Sequence, residues 1–458
     1  MNKKYNFDYI IIGSGPAGST AALILAKSKS KKIALVEGEA FGGNNLNTRD
    51  IPYGVSLGFS HTFHRLSRYP EISSHDLRYN FPTVVAHQEH VVAFMSNHNN
   101  ERYDKSNLTL IQGYANFLDK HTIAVGKKKY TAKTFIIATG SRLKTSEITG
   151  TDTVKYLTPN NALKLRRLPK FAFIVGGGST GCEIAEYYAE LGAKVLIMER
   201  APRLLPREDA EASAVITDYF SSKLGVMVIT DSKVVAIEND GKYHRVIFNT
   251  NGEEKMVRVD CIVLATGSEP DIEGLGLENA GVKYKKSGIT VGKNFQTSTK
   301  HIYAIGDCIN DTDSSTERAE YEATVLAGNL RARTKNLANY NGFIRITDTY
   351  PKVAAVGKNE QDLAKHKASY KKSVVEFKDL PVSKLERLNY GFVKVLADKN
   401  NRIIGATIVA PNAELMAEEF ALAIRHKITA LELASTPHVS NSWNAAVKLA
   451  CRRLIKKR

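Results

Sequence analysis

One short pattern occurs twice in this chain and limits what it can fold into. Residues 8–12, Asp-Tyr-Ile-Ile-Ile, are an apolar run of strand length that leads straight into Gly13-Ser14-Gly15-Pro16-Ala17-Gly18. Residues 19–29, rich in Ala and Leu, predict a helix, and residues 32–36 predict a second strand ending on Glu37. The pattern returns as a strand over 171–175, the turn Gly176-Gly177-Gly178-Ser179-Thr180-Gly181, a helix over 182–191 and a strand over 194–198 ending on Glu199. Glycines in such a turn let the backbone bend tightly and approach a pyrophosphate, which then rests on the helix N-terminus. Glu37 and Glu199 follow the first glycine at nearly equal spacing, where a carboxylate accepts hydrogen bonds from ribose hydroxyls. A lone glycine motif can be an ordinary tight turn. The complete unit, present twice, implies two dinucleotides and an α/β chain with two Rossmann-like domains.

The intervening segments are consistent with that architecture. Two helices are expected over 55–66 and 80–99, then a strand over 108–116 that reaches Gly113-Tyr114-Ala115. Residues 130–141 and 260–267 are apolar strands ending in Ala138-Thr139-Gly140 and Ala265-Thr266-Gly267. Residues 301–307 form a further strand closing on Gly306-Asp307, with a helix expected over 319–335. From about residue 343 the strands and helices carry no phosphate loop. The expected domains are 1–150 and 273–342, two parts of one dinucleotide-binding domain, 151–272 for the second, and 343–458 as an α+β domain.

Between the first unit and the helix over 55–66 lies Gly42-Gly43-Asn44-Asn45-Leu46-Asn47-Thr48-Arg49-Asp50-Ile51-Pro52-Tyr53-Gly54. With the motifs above, it resembles the pyridine nucleotide-disulfide oxidoreductases, the family of dihydrolipoamide dehydrogenase, glutathione reductase and mercuric reductase. Those enzymes read Gly-Gly-Thr-Cys-Leu-Asn-x-Gly-Cys-Ile-Pro-Ser-Lys here, and the resemblance implies a loop that carries the chain past a bound flavin. The resemblance covers nearly the whole chain. It implies FAD in the first unit, held by Gly13, Gly15, Pro16, Ala17, Glu37, Gly43, Asn44, Ala115, Thr139, Gly140, Gly306 and Asp307. It implies a nicotinamide dinucleotide in the second, held by Gly176, Gly178, Ser179, Thr180, Glu199 and Gly267. The carboxylate of Glu199 favours NADH, while Arg200 and Arg203 keep NADPH open. The C-terminal domain would form a homodimer.

Departures from the family pattern are confined to the chemistry. Asn45 and Asp50 stand where the family has its two cysteines, and Gly54 where it has the lysine that pairs with the acid at Glu183. The family's His-x-His-Pro-Thr-x-x-Glu becomes Ser435-Thr436-Pro437-His438-Val439-Ser440-Asn441, with Thr436 at the acid-base histidine and Asn441 at its glutamate. His438, displaced past the proline, is a candidate proton donor beside Glu183 and Asp50. His61 and His64, three apart on one helix face, read as packing or as hydrogen-bonding groups near the flavin.

Composition adds boundaries. Four widely spaced cysteines, Cys182, Cys261, Cys308 and Cys451, form no zinc or disulfide framework and suit a cytoplasmic protein. Residues 1–5 show no apolar h-region or cleavage site, so no export is expected, and no apolar run is long enough to span a membrane. The net charge of +17 is scattered, without a nucleic-acid-binding signature. Residues 443–458 predict an amphipathic basic helix, a type that packs on its own domain or lies weakly on anionic membrane.

The expected function is therefore an FAD-dependent NAD(P)H oxidoreductase that is not a dithiol/disulfide reductase and passes electrons to a small acceptor: a quinone, oxygen, a flavin or a metal ion. The alternatives are a degenerate dinucleotide sensor and a peripheral membrane quinone reductase.

Overall fold

The computed structural model describes residues 5–72, 77–144, 147–310 and 315–456. The chain forms two compact units: Met1–Val55 with Ala86–Thr145 and Gly267–Asn339, and Ser56–Val85 with Ser146–Thr266 and Tyr340–Arg458.

In the first unit, strands Leu108–Gln112, Ile33–Glu37, Phe7–Ile12 and Lys128–Ile137 lie side by side in parallel, and Ile302–Ala304 pairs with the last of them. Ile10, Ile11 and Ile12 are all buried, because a sheet covered on both faces needs an unbroken apolar run. The helix Pro16–Ala26 packs on Thr316–Ala332. Ala17, Ala21 and Ala22 on one and Ala319, Ala323 and Ala327 on the other are buried, and these small side chains permit the close approach.

Several boundaries differ from expectation, among them the helix expected over 19–29, which runs over Pro16–Ala26, and the helix expected over 80–99, which runs over Phe81–Asp104. The strand over 108–116 is two strands, Leu108–Gln112 and Ala115–Asp119, broken at Gly113, whose φ of 134° ends the pairing. The helix expected over 319–335 runs over Thr316–Ala332, because Ser315 caps it by accepting from the Arg318 amide (3.2 Å). The stretch over 42–54, read as a loop, is helical: Gly43–Asn47 is one helix, and Asp50 opens another that continues to Leu66.

In the second unit, Met227–Ile229, Lys194–Met198, Phe171–Val175 and Cys261–Leu264 form a parallel sheet. An antiparallel meander, Ser232–Asp240, Tyr243–Thr250 and Glu253–Val259, is separate from it. The C-terminal part is an antiparallel five-stranded sheet in the order Ile344–Thr347, Lys352–Gly357, Ile403–Ala410, Phe392–Ala397, Lys371–Glu376. The helix Ala445–Lys456 lies on this domain with Ala446, Val447, Ala450 and Leu454 inside the core. The apolar face that membrane docking would require is thus already covered. Lys457 and Arg458, which that reading also used, lie outside the described residues. Among the described residues no helix is long and apolar enough to cross a membrane.

Candidate active site

Both glycine-rich turns are built alike, down to single hydrogen bonds. Gly13 (φ 99°) and Gly176 (φ 108°) make the turn, and a Cβ on either would strike a carbonyl of the neighbouring strand, Ala138 O at 2.3 Å or Ala265 O at 2.4 Å. A Cβ on Gly18 or Gly181 would meet the first glycine's carbonyl at 1.8 or 1.9 Å. A Cβ on Gly15 or Gly178 would instead meet nothing within 4 Å. Each of these two residues precedes a helix without a side-chain cap, so the first-turn amides face the open space. This cradle fits a dinucleotide pyrophosphate in both units.

The terminal acids pin the turns. Glu37 accepts from the Ser14 amide (2.9 Å) and hydroxyl (2.6 Å) and from the Glu39 amide (2.9 Å). Glu199 accepts from the Gly177 amide (2.6 Å) and the Ala201 amide (2.7 Å). Arg203 directs its guanidinium to the backbone carbonyls of Pro206 and Glu208, both at 3.2 Å.

Ser14 also accepts from the Gly42 amide (3.0 Å), tying the first turn to the stretch over 42–54. Gly43 passes so close to Gly15 that a Cβ there would lie 2.7 Å from its Cα. The Asn44 amide donates to Ser141 O (3.1 Å), and the Ser141 hydroxyl donates to Asp307 (3.0 Å). The Thr139 hydroxyl donates to Asp271 O (2.6 Å). The Gly306 amide donates to the buried carboxylate of Glu322 (2.8 Å), which also accepts from Arg318 (3.0 Å).

Asn45 and Asp50 meet. The Asn45 side-chain amide donates to Asp50 Oδ2 (2.7 Å) and to Thr316 Oγ1 (2.8 Å), and the Thr316 hydroxyl donates to Asp50 Oδ2 (2.5 Å). Amide, carboxylate and hydroxyl thus close a triangle. A helix start at Ala319 leaves Thr316 outside the element, and the sequence reading therefore omits it. The Ser315-Thr316 pair ahead of the apolar periodicity was the available signal for an earlier start. Ser14 and Ser141 carry no local signal, since their partners are distant in sequence; Glu322 has one local partner, Arg318 one turn earlier, but its bond to Gly306 is not legible from that spacing.

In the second unit, Glu183 accepts from the Asp348 amide (2.9 Å) and the Ser179 hydroxyl (3.3 Å). His438 is buried as a side chain (5% exposed) and held at both nitrogens, Nδ1 by Thr436 O (2.8 Å) and Nε2 by Glu419 (2.9 Å). Asn444 supports Glu419 from its other oxygen (3.4 Å). His61 and His64 face the second unit's interior: His61 Nε2 lies 3.2 Å from Glu186, and His64 Nε2 lies 3.2 Å from the Tyr219 hydroxyl. All four cysteines are buried and unpaired. Burial pushes the thiols of Cys261, Cys308 and Cys451 up to about 12, and that of Cys182 well above its ordinary value.

The family model for pyridine nucleotide-disulphide oxidoreductases matches residues 7–327, and that for the family's dimerisation domain matches residues 344–451. A mercuric reductase of Bacillus cereus is 30% identical over 454 residues, covering 97% of this chain and 71% of the relative. Dihydrolipoyl dehydrogenase 1, mitochondrial, of Arabidopsis thaliana is 28% identical over 462 residues, covering 97% and 89%. Among solved structures, the flavoprotein disulfide reductase RclA of Escherichia coli, as its Cu(II) complex, superposes with a TM-score of 0.88 at 23% identity, covering 99% of this chain and 100% of that one. LpdA of Mycobacterium tuberculosis gives a TM-score of 0.87 at 24% identity, covering 97% and 99%. The α/β fold with a C-terminal dimerisation domain is therefore shared with flavoprotein disulfide reductases. This chain belongs to the pyridine nucleotide-disulphide oxidoreductase family, whose members are FAD-dependent oxidoreductases of pyridine nucleotides.

Proposed function

We propose that the chain oxidises a reduced nicotinamide dinucleotide, NADH in preference to NADPH, and reduces a small acceptor that is not a disulfide: a quinone, oxygen, a free flavin or a metal ion. FAD, when bound, supplies the hydride-accepting ring and the route by which electrons leave. The observation that carries this reading is the Asn45–Asp50–Thr316 triangle. Disulfide exchange needs a thiolate that attacks a sulfur and a second thiol that resolves the product. None of the three side chains can form a mixed disulfide, and the four thiols are buried in surroundings that disfavour the thiolate.

The residues assigned to binding keep their tasks. The first-turn amides after Gly15 and Gly178 receive pyrophosphates, Glu37 and Glu199 receive ribose hydroxyls, and Asp307, positioned by Ser141, receives the ribityl chain. The preference for NADH is supported by Glu199, whose carboxylate repels a 2′-phosphate, and by the engagement of Arg203 with Pro206 and Glu208. With both ring nitrogens of His438 occupied, the acceptor's protons come from solvent or from the acceptor's own groups. We place the protein in the cytoplasm as a homodimer, on its unpaired cysteines and its dimerisation domain.

The test is anaerobic mixing of the FAD-loaded protein with NADH and, separately, NADPH. This is followed by re-oxidation with a quinone, oxygen, free FAD, mercuric ion, lipoamide or glutathione disulfide. Flavin bleaching, faster with NADH, and re-oxidation by one of the first four are expected. Rapid re-oxidation by either disulfide would overturn the reading.

A further inference from the structure

The second unit contains two clusters of converging acids, and they differ in what neutralises them. Around Asp209, Glu211 and Glu360 the fully buried ammonium of Lys394 lies 3.0, 2.8 and 2.7 Å from the three carboxylates. That cluster carries its own cation. The other joins His61, on the helix Asp50–Leu66, to Glu186 and Glu190, one turn apart on the helix Ser179–Glu190. Their ligand atoms all lie within 4.8 Å of one another, with His61 Nε2 3.2 Å from Glu186 Oε2 and 3.9 Å from Glu190 Oε2.

Both glutamate side chains are fully buried. Neither oxygen of Glu190 has a partner at good hydrogen-bond geometry; the Ser60 hydroxyl lies beside it and lowers its pKa slightly, but also bonds to the Leu57 carbonyl (3.3 Å). Among the described residues no lysine or arginine pairs with Glu186 or Glu190. Arg68, the nearby guanidinium, lies over the Tyr350 ring (4.8 Å) and bonds to the Tyr219 hydroxyl. A buried carboxylate without a charged partner is costly and is relieved by a proton, a partner or a metal; burial raises the Glu190 carboxyl to about 8 and the Glu186 carboxyl well above its ordinary value, so without an ion both hold protons that an ion would displace.

We propose that His61, Glu186 and Glu190 form a binding site for a divalent transition-metal cation. His61 Nε2 lies 3.2 and 3.9 Å from the two carboxylates, against about 3.3–3.6 Å between atoms held tetrahedrally at about 2.0–2.2 Å from one ion, so the Glu190 carboxyl must turn slightly to complete the set. An imidazole with two carboxylates suits Zn²⁺, Mn²⁺ or Fe²⁺ rather than a soft monovalent ion. The two carboxylate charges offset the ion's charge. Glu186 is already oriented, since the Tyr350 amide lies 2.9 Å from both of its oxygens, as an outer partner orients a metal ligand. The Lys394 cluster takes no ion, because its ammonium fills it.

The experiment uses the FAD-loaded chain stripped with a chelator, then titrated calorimetrically with Zn²⁺ and separately with Mn²⁺. Thermal unfolding is recorded with and without each ion. One ion per chain is expected, with a raised melting temperature. Glu190→Gln and His61→Asn should each weaken binding by at least the roughly 10–100-fold that loss of an outer partner costs. Retained FAD and an unchanged circular dichroism spectrum establish that a variant is folded. If only one variant folds, that variant decides; if neither does, the wild-type stoichiometry decides. Absence of binding to the wild type, or unchanged binding by a folded variant, would overturn the site.

Discussion

Asp50 takes two donors on one oxygen, the Asn45 amide and the Thr316 hydroxyl, which is how an acceptor-only carboxylate is satisfied. A negative charge there opposes the accumulation of negative charge on a reduced flavin or acceptor. Asp50→Asn is expected to raise the flavin midpoint potential and to change the turnover rate; spectroelectrochemistry and steady-state assays that find neither would remove Asp50 from the mechanism. The placing of Asn45 and Asp50 at the family's cysteine positions rests on the sequence alone, where the frame of Gly42, Gly43, Leu46, Asn47, Ile51 and Pro52 brackets them. Thr316, which completes the triangle, could not, since it is 266 residues from Asp50. A second residue-scale expectation concerns His64. Burial, then the positive charge of Arg68, lowers its pKa from 6.5 to about 4. Between those values the unfolded chain binds a proton that the folded chain does not, so stability falls as pH drops from about 6.5 towards 4. His64→Gln should flatten that part of the curve of denaturant midpoint against pH; an unaltered slope would show that His64 is not its source.

At the level of single elements, the three glycines of each turn have separable tasks. Gly178 has an ordinary φ of −73° and open space where a Cβ would point, so Gly178→Ala should fold normally. Its methyl group would occupy the place of the pyrophosphate, weakening NADH binding by tenfold or more, or about 1.4 kcal/mol. Gly181→Ala would put a Cβ 1.9 Å from Gly176 O and should instead destabilise the fold by about 1–3 kcal/mol. Calorimetric NADH binding and denaturant unfolding separate the two; equal effects of both variants on stability would contradict the division of roles. These turns were legible because their constraints are local: strand period, glycine spacing and helix composition fall within one short window. Element ends were less so. Arg333, in a left-handed conformation with φ 56°, closes its helix before the expected end, and no Gly or Pro marked that stop.

At the scale of the molecule, the helix Ala413–His426 buries Met416, Ala417, Phe420 and Ala423 but leaves Leu415 and Leu422 each 59% exposed. Leucines two turns apart on an open face are the kind of surface a partner subunit covers. Leu415→Glu with Leu422→Glu should convert a dimer to a monomer in light scattering, and an unchanged mass would place the interface elsewhere. The division into nucleotide units and a final domain was legible because it repeats and then stops. The buried ionic groups were not. Lys394 meets Asp209, Glu211 and Glu360 only after three separate segments fold together, and the burial of His61 beside Glu186 and Glu190 depends on a helix far away in sequence. The central claim, that no dithiol intervenes between flavin and acceptor, is tested most directly by anaerobic titration with NADH. Complete bleaching of the flavin after a single equivalent, with no new thiols detectable in the unfolded product, is predicted. Uptake of a second equivalent with the appearance of two thiols per chain would contradict it.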